Sequence, residues 1–490
     1  MKSKAKLKGG IDTRVGVDHS RWIFPATCFV YLASCAVMIF AARGDLWLDE
    51  IWSIIFAREA ETPIDVVLLA RLHHDNNHIL NTMFLNVIGN QQITHMYRLL
   101  ALVSGAGSLC AVALLAKRWG SLEIFLSVLL TGSSYPLLLY FSEARGYAPA
   151  ILFGLFSYLL QVQNQRDFRL YRVPLFWITS ILGMLSHLTF LIVSTALLLM
   201  SLARLIDEKE RRRTEIFRLL LYHSPPFAFF LWLYLVFVHD MVTGGGPIYT
   251  YGTVIGQVAA LALGLPQEPT LLIIAGICMV ILLTIGAVTL NRNGDEGWVF
   301  YPFVLIVAPF LMLILTRPEY LYARYFIVCF PYFYLLLSRL LGLWWRSGTE
   351  YKRWSMLAIL ALLLLGHAHG SYLLLTFGRG NYSAALARIA ESSPPGIVRI
   401  GSDHDLRNRT IIEFLAPANS NTKRLRYVAK EDWHREMPDW LLTHNQALSD
   451  KPPPEIALDG VGIYQFVEAY EFSGISGWNW FLYRREMANR

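Results

Sequence analysis

The stretch FVYLASCAVMIFAARGDLWLDEIWS, Phe29 to Ser53, decides the fold. Its first half belongs to an apolar run over residues 22–42, and a helix crossing about 30 Å of hydrocarbon needs about 20 such residues. Where the run ends, Asp45, Asp49 and Glu50 follow at once. Asp49 and Glu50 stand among Leu48, Ile51 and Trp52, and an acid beside apolar neighbours at a membrane surface is costly unless it is paired or used. The plain alternative is a solvated helix end or an acid paired with a nearby Arg. Adjacent helical positions point in different directions, so one acid is expected to react and the other to hold structure.

The remainder of the 490 residues repeats the pattern. The chain is 55% hydrophobic and 16% charged, which is the composition of a multi-pass α-helical membrane protein. A net charge of +7 can mark a nucleic-acid partner, but here Lys and Arg gather in short links between apolar runs, as orientation signals do. Nucleic acid is therefore excluded as a partner. The five cysteines all fall within apolar runs and read as small buried hydrophobes. Residues 1–21 read as a basic cytoplasmic tail before an uncleaved anchor.

Spans are expected at 22–42, 96–116, 121–141, 147–163, 173–203, 216–238, 270–290, 298–316, 325–343 and 354–375. The basic links KRWG, QNQRDFRLYR, RLIDEKERRR and WWRSGTEYKRW belong on the cytoplasmic side by the positive-inside rule. Arg172 and Arg204 are then on the same side, so the run 173–203 must cross twice, as two short helices meeting near SHLT, Ser186–Thr189. That makes about eleven spans, with the N-terminus inside and the C-terminus outside. One face then gathers the first loop (43–95), SEARGYA from Ser142, HDMVTGGGPIYTYG from His239, and TRPEYLYAR from Thr316.

That face carries the chemistry. In the first loop, PIDVVLLARL and ILNTMFLNVIG have helical periodicity and flank HHDNNH, His73–His78, which is too dense in ionisable groups for a simple connection. Glu143 and Arg145 sit in a near-absent loop, where a local ion pair is the plain reading. Arg317, Arg324 and Tyr325 open a span, where a snorkelling Arg is common. Together they supply acids that can activate a hydroxyl and guanidinium groups that can hold a phosphate at headgroup level. Residues 376–490 read as a small α/β domain on the same face, with a helix at YSAALARIAESS, strands at GIVRIGS, RLRYVA and DWLLTH, and a closing hairpin. Its DHD at Asp403 is a possible metal ligand or a solvated turn.

WLDEIWS after the first span, YRLLALVSGAGSLCAVALLAKRWG, YFSEARGYA and YARYFIVCFPYFYLLL together resemble the bacterial relatives of protein O-mannosyltransferases and lipid A aminoarabinose transferases. These are polyprenyl-phosphate-dependent glycosyltransferases of the GT-C class, and the likeness covers about 21–372. The resemblance implies an inverting glycosyltransferase that moves a sugar from a polyprenyl-phosphate donor to an envelope acceptor (lipid A, another glycan or a protein). It implies a bacterial inner-membrane protein with a periplasmic site and a GT-C transmembrane domain over 22–375. Asp49, with Glu50 beside it, then takes the catalytic position. Arg324, Arg145, His187 and Tyr325 take the donor phosphate, and Glu143 faces the substrate.

HHDNNH departs from the proline-containing loop of many relatives. His74, Asp75, Asn77 and His78, with Asn76, offer hydrogen bonds to sugar hydroxyls. Alternatively His74 and His78, at i and i+4, hold a divalent metal with Asp75. No cofactor beyond that metal is implied. A transporter or flippase of lipid-linked sugars is the rival reading, and it predicts ionisable residues at mid-membrane depth. A scaffold is a second rival, and it predicts that Asp49→Asn leaves function intact.

Overall fold

The computed structural model describes residues 20–91, 93–207, 212–295, 297–418, 421–422, 424–446 and 452–486. The basic tail up to residue 19, and residues 208–211 of the expected link RLIDEKERRR, lie outside the described residues. Among the described residues, six helices are long and apolar enough to cross a membrane, the first being Trp22–Ala41. A seventh expected span is broken: Ser121–Ser133 and Tyr135–Phe141 meet at a 69° bend. Ser134 is extended there and Pro136 opens the second helix, where its missing N–H costs nothing. The other expected spans are Tyr147–Arg166, Arg172–Ser186, Phe190–Asp207 and a segment over Phe300–Thr316. The apolar helix Tyr251–Leu263 is not among the expected spans.

The run 173–203 forms two helices, Arg172–Ser186 and Phe190–Asp207. Ser157 of the Tyr147–Arg166 helix hydrogen-bonds Thr179 (2.9 Å), and Gln161 of the same helix donates to the Leu197 carbonyl (3.0 Å). Both short helices thus flank one neighbour, and the chain breaks between them at His187, where the backbone is extended. Gly146 explains why the break lies where it does: a Cβ there would meet the Ser186 carbonyl oxygen at 1.7 Å. Only glycine lets the SEARGY turn press onto this break.

The segment Ala323–Arg346 runs through the middle of the bundle, 89% of its apolar window buried, while Trp22–Ala41 and Pro269–Arg292 are 11% buried and lie at its periphery. At one end of this central segment Glu123, fully buried, takes Arg339 (3.0 Å) and Arg346 as partners. Gly342 makes room for that acid, since a Cβ there would stand 2.6 Å from its Oε1.

Beyond Phe377 the chain forms a six-stranded sheet, β1 (Val398–Ser402), β2 (Leu425–Tyr427), β3 (Trp440–Asn445), β4 (Glu455–Leu458), β5 (Gly462–Tyr470) and β6 (Asn479–Arg485), in the order β2-β1-β3-β6-β5-β4. β1 runs parallel to β2 and β3, and the rest is antiparallel, with β5 and β6 forming the expected hairpin. Helix Tyr382–Glu391 is where periodicity places it; helix Asp405–Leu415 and strand β4 are additional. Trp440 and Trp480 are fully buried in the core. Asp403, of the DHD stretch, holds His444 Nδ1 at 2.8 Å and so ties the end of β1 to β3.

Candidate functional site

The helix Leu48–Glu59 begins where the first span has ended, with Asp49 and Glu50 in its first turn, favourable positions for negative charge. The two acids separate as the geometry of a helix requires. Glu50 turns inward and is fully buried. Arg98 Nε reaches its Oε1 (2.7 Å) and Arg98 Nη2 its Oε2 (2.6 Å), while the Ala144 N–H donates to Oε1 (2.7 Å). Burial works to raise the Glu50 carboxyl, but Arg98 outweighs it and holds the group below the usual carboxylate range. Arg98 spends its remaining donors on the carbonyls of Ala42, Gly44 and Asp45, clasping the turn between span and helix. Glu50, expected beside Asp49 at the reacting position, is thus the structural member of the pair.

Asp49 turns the other way and keeps 19% of its side chain exposed. Its Oδ2 lies 2.9 Å from Arg145 Nη1 and 3.4 Å from Arg324 Nη1. Three residues from three distant parts of the chain therefore meet at one oxygen. Arg145 is buried against the rings of Trp47 and Tyr147, 5.6 and 5.2 Å from its guanidinium carbon, and Arg324 lies over Tyr322 and Tyr325 at 4.6 and 5.9 Å. The Nε atoms of Arg145 and Arg324 are buried and have no hydrogen-bond partner among the described residues, so both guanidinium groups carry unsatisfied donors.

HHDNNH forms the adjoining wall, and Asn76 is its hinge. Asn76 Nδ2 donates to the Asp49 carbonyl (2.8 Å) and its Oδ1 accepts from Arg145 Nη2 (2.7 Å). Asp75 is held by His74 Nδ1 (2.8 Å) and the Gly244 N–H (3.1 Å), which ties this wall to the glycine-rich loop before Tyr251–Leu263. Burial works to raise the Asp75 carboxyl, and the His74 ring, the Gly244 N–H and Arg324 outweigh it and hold it low. His78 Nδ1 accepts the Gly146 N–H (3.0 Å), and its ring packs on His187 and Tyr147. Burial and the positive charges of Arg145 and Arg324 depress both His78 and His187 well below the usual imidazole range. His187 lies at the helix break with its ring 4.1 Å from that of Tyr147.

Several expectations are corrected by this geometry. Glu143 does not face a substrate: it is fully buried, with Arg379 Nε 3.0 Å from its Oε1. Asn77 spends its amide on the Val66 and Leu72 carbonyls inside the loop (3.2 and 2.8 Å). His74 and His78 do not share a helical face, because the helix begins only at Ile79 and His78 precedes it. Their rings instead pack in different surroundings, His74 on Trp52 and Phe56. No group of three or more metal-ligating side chains is present among the described residues, and the donor set fits a hydrogen-bonded wall.

Two residues that hold the site together, Arg98 and Arg379, escaped sequence reasoning. Arg98 resembles a snorkelling residue at the start of a span, and Arg379 stands in a linker. Asp45 accepts from the N–H and Oγ of Ser383 (2.7 and 2.8 Å) and so ties the first loop to helix Tyr382–Glu391. The only signal for Arg98 and Arg379 is that a buried acid requires a cation.

The apo crystal structure of ArnT from Cupriavidus metallidurans aligns with 86% of this chain and 93% of its own, at 12% identity and a TM-score of 0.51. The structure of ArnT from the same organism bound to undecaprenyl phosphate aligns with 95% of this chain and 97% of its own, at 12% identity and a TM-score of 0.48. No family model matches the chain, and neither does any curated protein. At this identity the likeness is one of fold. The chain has a multi-pass α-helical membrane fold of the GT-C type with a small C-terminal sheet domain.

Proposed function

We propose that the protein is an inverting glycosyltransferase that moves a sugar from a polyprenyl-phosphate donor to an envelope acceptor on the periplasmic side of the inner membrane. The observation that carries this reading is the meeting of Arg145 and Arg324 at the Asp49 carboxylate, 2.9 and 3.4 Å away, beyond the end of the first apolar helix. A phosphate leaves as a stable anion, so the donor needs positive charge on its phosphate more than an acid. Arg145 and Arg324 supply two guanidinium groups with unused donors, and Tyr325 lies against the second. His187 lies beside Tyr147, whose ring Arg145 faces.

Donor binding also prepares the base. Once the phosphodiester engages the two arginines, Asp49 is released from them and can accept the proton of an acceptor hydroxyl. That oxygen attacks the anomeric carbon from the face opposite the phosphate; the new C–O bond forms as the bond to the phosphate oxygen breaks, with inversion. Charge arranged in advance at a partly dry interface acts more strongly than in water. Asn76 positions both sides of this exchange, since it touches the Asp49 backbone and the Arg145 side chain. His74 and Asp75 form the wall for the transferred sugar.

The test is thermal unfolding of the purified protein with a panel of polyprenyl-phosphate sugars, because a ligand that binds only the folded state raises its stability. At least one donor should raise the midpoint in a saturable way. No shift from any member of the panel, in a folded sample, contradicts the proposal.

A further inference from the structure

At the end of the bundle opposite Asp49, a cavity of about 570 Å³ opens between the ends of three membrane helices. Its wall is formed by Ile285 and Thr289 of Pro269–Arg292, Leu343 and Arg346 of the central segment, and Lys352 and Ser355 of Glu350–Phe377. Arg324 stands near one end of the central segment and Arg346 ends the other, so the cavity and the Asp49 site are on the order of 30 Å apart, one bilayer core. The volume falls in the range of small-molecule sites, about 300–1,000 Å³.

The lining has two characters. Ile285 and Leu343 are apolar, and Pro269–Arg292 lies at the periphery of the bundle. Arg346 and Lys352 bring positive charge, and Thr289 and Ser355 add hydroxyls to the same lining. Arg346 shares Glu123 with Arg339, whereas Lys352 makes no ion pair among the described residues and has its Nζ 5.9 Å from the centre of the Tyr351 ring. Around it Trp345, Tyr351 and Trp354 are exposed, as aromatic side chains are at headgroup level. Glu350 is the nearby acid in sequence, but it is exposed and does not line the cavity.

We infer that this cavity binds the phosphodiester headgroup of an anionic phospholipid, with Lys352 and Arg346 on the phosphate and the acyl chains leaving along Ile285 and Leu343. The leaflet is the one opposite the Asp49 site, so the bound lipid is distinct from the sugar donor. The inference does not rest on the proposed transfer reaction.

The experiment is thermal unfolding of the full-length protein in detergent, titrated with phosphatidylglycerol, with phosphatidylcholine, or with inorganic phosphate. Phosphatidylglycerol should raise the midpoint saturably and the other two should not. Lys352→Gln, which breaks no ion pair, should weaken the effect about fivefold, the value of one basic residue at an anionic surface. Ser355→Trp, which fills the cavity, should abolish it while the lipid-free midpoint of each variant reports its folding. Equal stabilisation by phosphatidylcholine, an equal effect of inorganic phosphate, or unchanged phosphatidylglycerol binding in both variants overturns the inference.

Discussion

Two adjacent acids divide the work of this protein. Asp49 is partly exposed and shared by two arginines, whereas Glu50, one position on, is sealed against Arg98. Their substitutions should therefore fail in different ways. Asp49→Asn keeps the shape and removes the proposed base, so the proposed transfer should fall by about 10²–10⁴ with little change in the unfolding midpoint. Arg98→Gln leaves Glu50 buried without its charge partner, and should cost about 3–5 kcal/mol of stability, read from denaturant or thermal unfolding. The imidazoles give a pH signature. Both His78 and His187 accept backbone N–H groups at Nδ1 and are held neutral, with pKa values well below the unfolded value of about 6.5. The unfolded chain then binds more protons than the folded one below that pH, so stability should fall as pH drops from about 7 towards 5. A His78→Asn, His187→Asn double variant should flatten that slope in a series of melting curves.

At the scale of elements, the site depends on breaks more than on helices. The turn carrying Arg145 reaches His187 because Gly146 has no side chain, and Gly146→Ala should push the two apart. Overpacking of this kind costs about 1–3 kcal/mol, and here it should also reduce transfer, since it shifts Arg145 and the His78 contact together. Much of this was legible from the sequence. The helix break at SHLT follows from charge bookkeeping on Arg172 and Arg204, and the acid at the first span's exit follows from the cost of leaving it unpaired. The 69° bend before Tyr135 was not, although Pro136 is visible, because a proline opening a helix and a proline within a continuous span look alike in a hydropathy pattern. Glu143 was misplaced because sequence shows an acid next to Arg145 but not the Arg379 that claims it from 236 residues away.

Across the whole molecule, the sheet domain is fastened to the membrane helices at the very turn that carries the site. Arg379 is fully buried between Glu143 and the carbonyls of Ala41, Leu139 and Ser142. Gly477 lies over it with φ +107°, and a Cβ there would meet the Arg379 carbonyl oxygen at 1.6 Å. Tyr135 in the bent helix donates to the Ser473 carbonyl (2.9 Å), and Trp47 meets Trp478 edge to face. Gly477→Ala should loosen this junction and lower the unfolding midpoint, and limited proteolysis should then cut near residue 378 faster than in the unsubstituted protein. None of this docking is periodic in sequence, so hydropathy and strand patterns reveal the two parts but not their seam.

The central claim, that Arg145 and Arg324 hold the donor phosphate while Asp49 acts on the acceptor, is tested most directly by comparing polyprenyl-phosphate binding and transfer in two variants. Asp49→Asn should still bind the lipid phosphate but not transfer its sugar, and Arg324→Ala should lose binding itself. Transfer by Asp49→Asn at the unsubstituted rate, or undiminished binding by Arg324→Ala, would contradict the account.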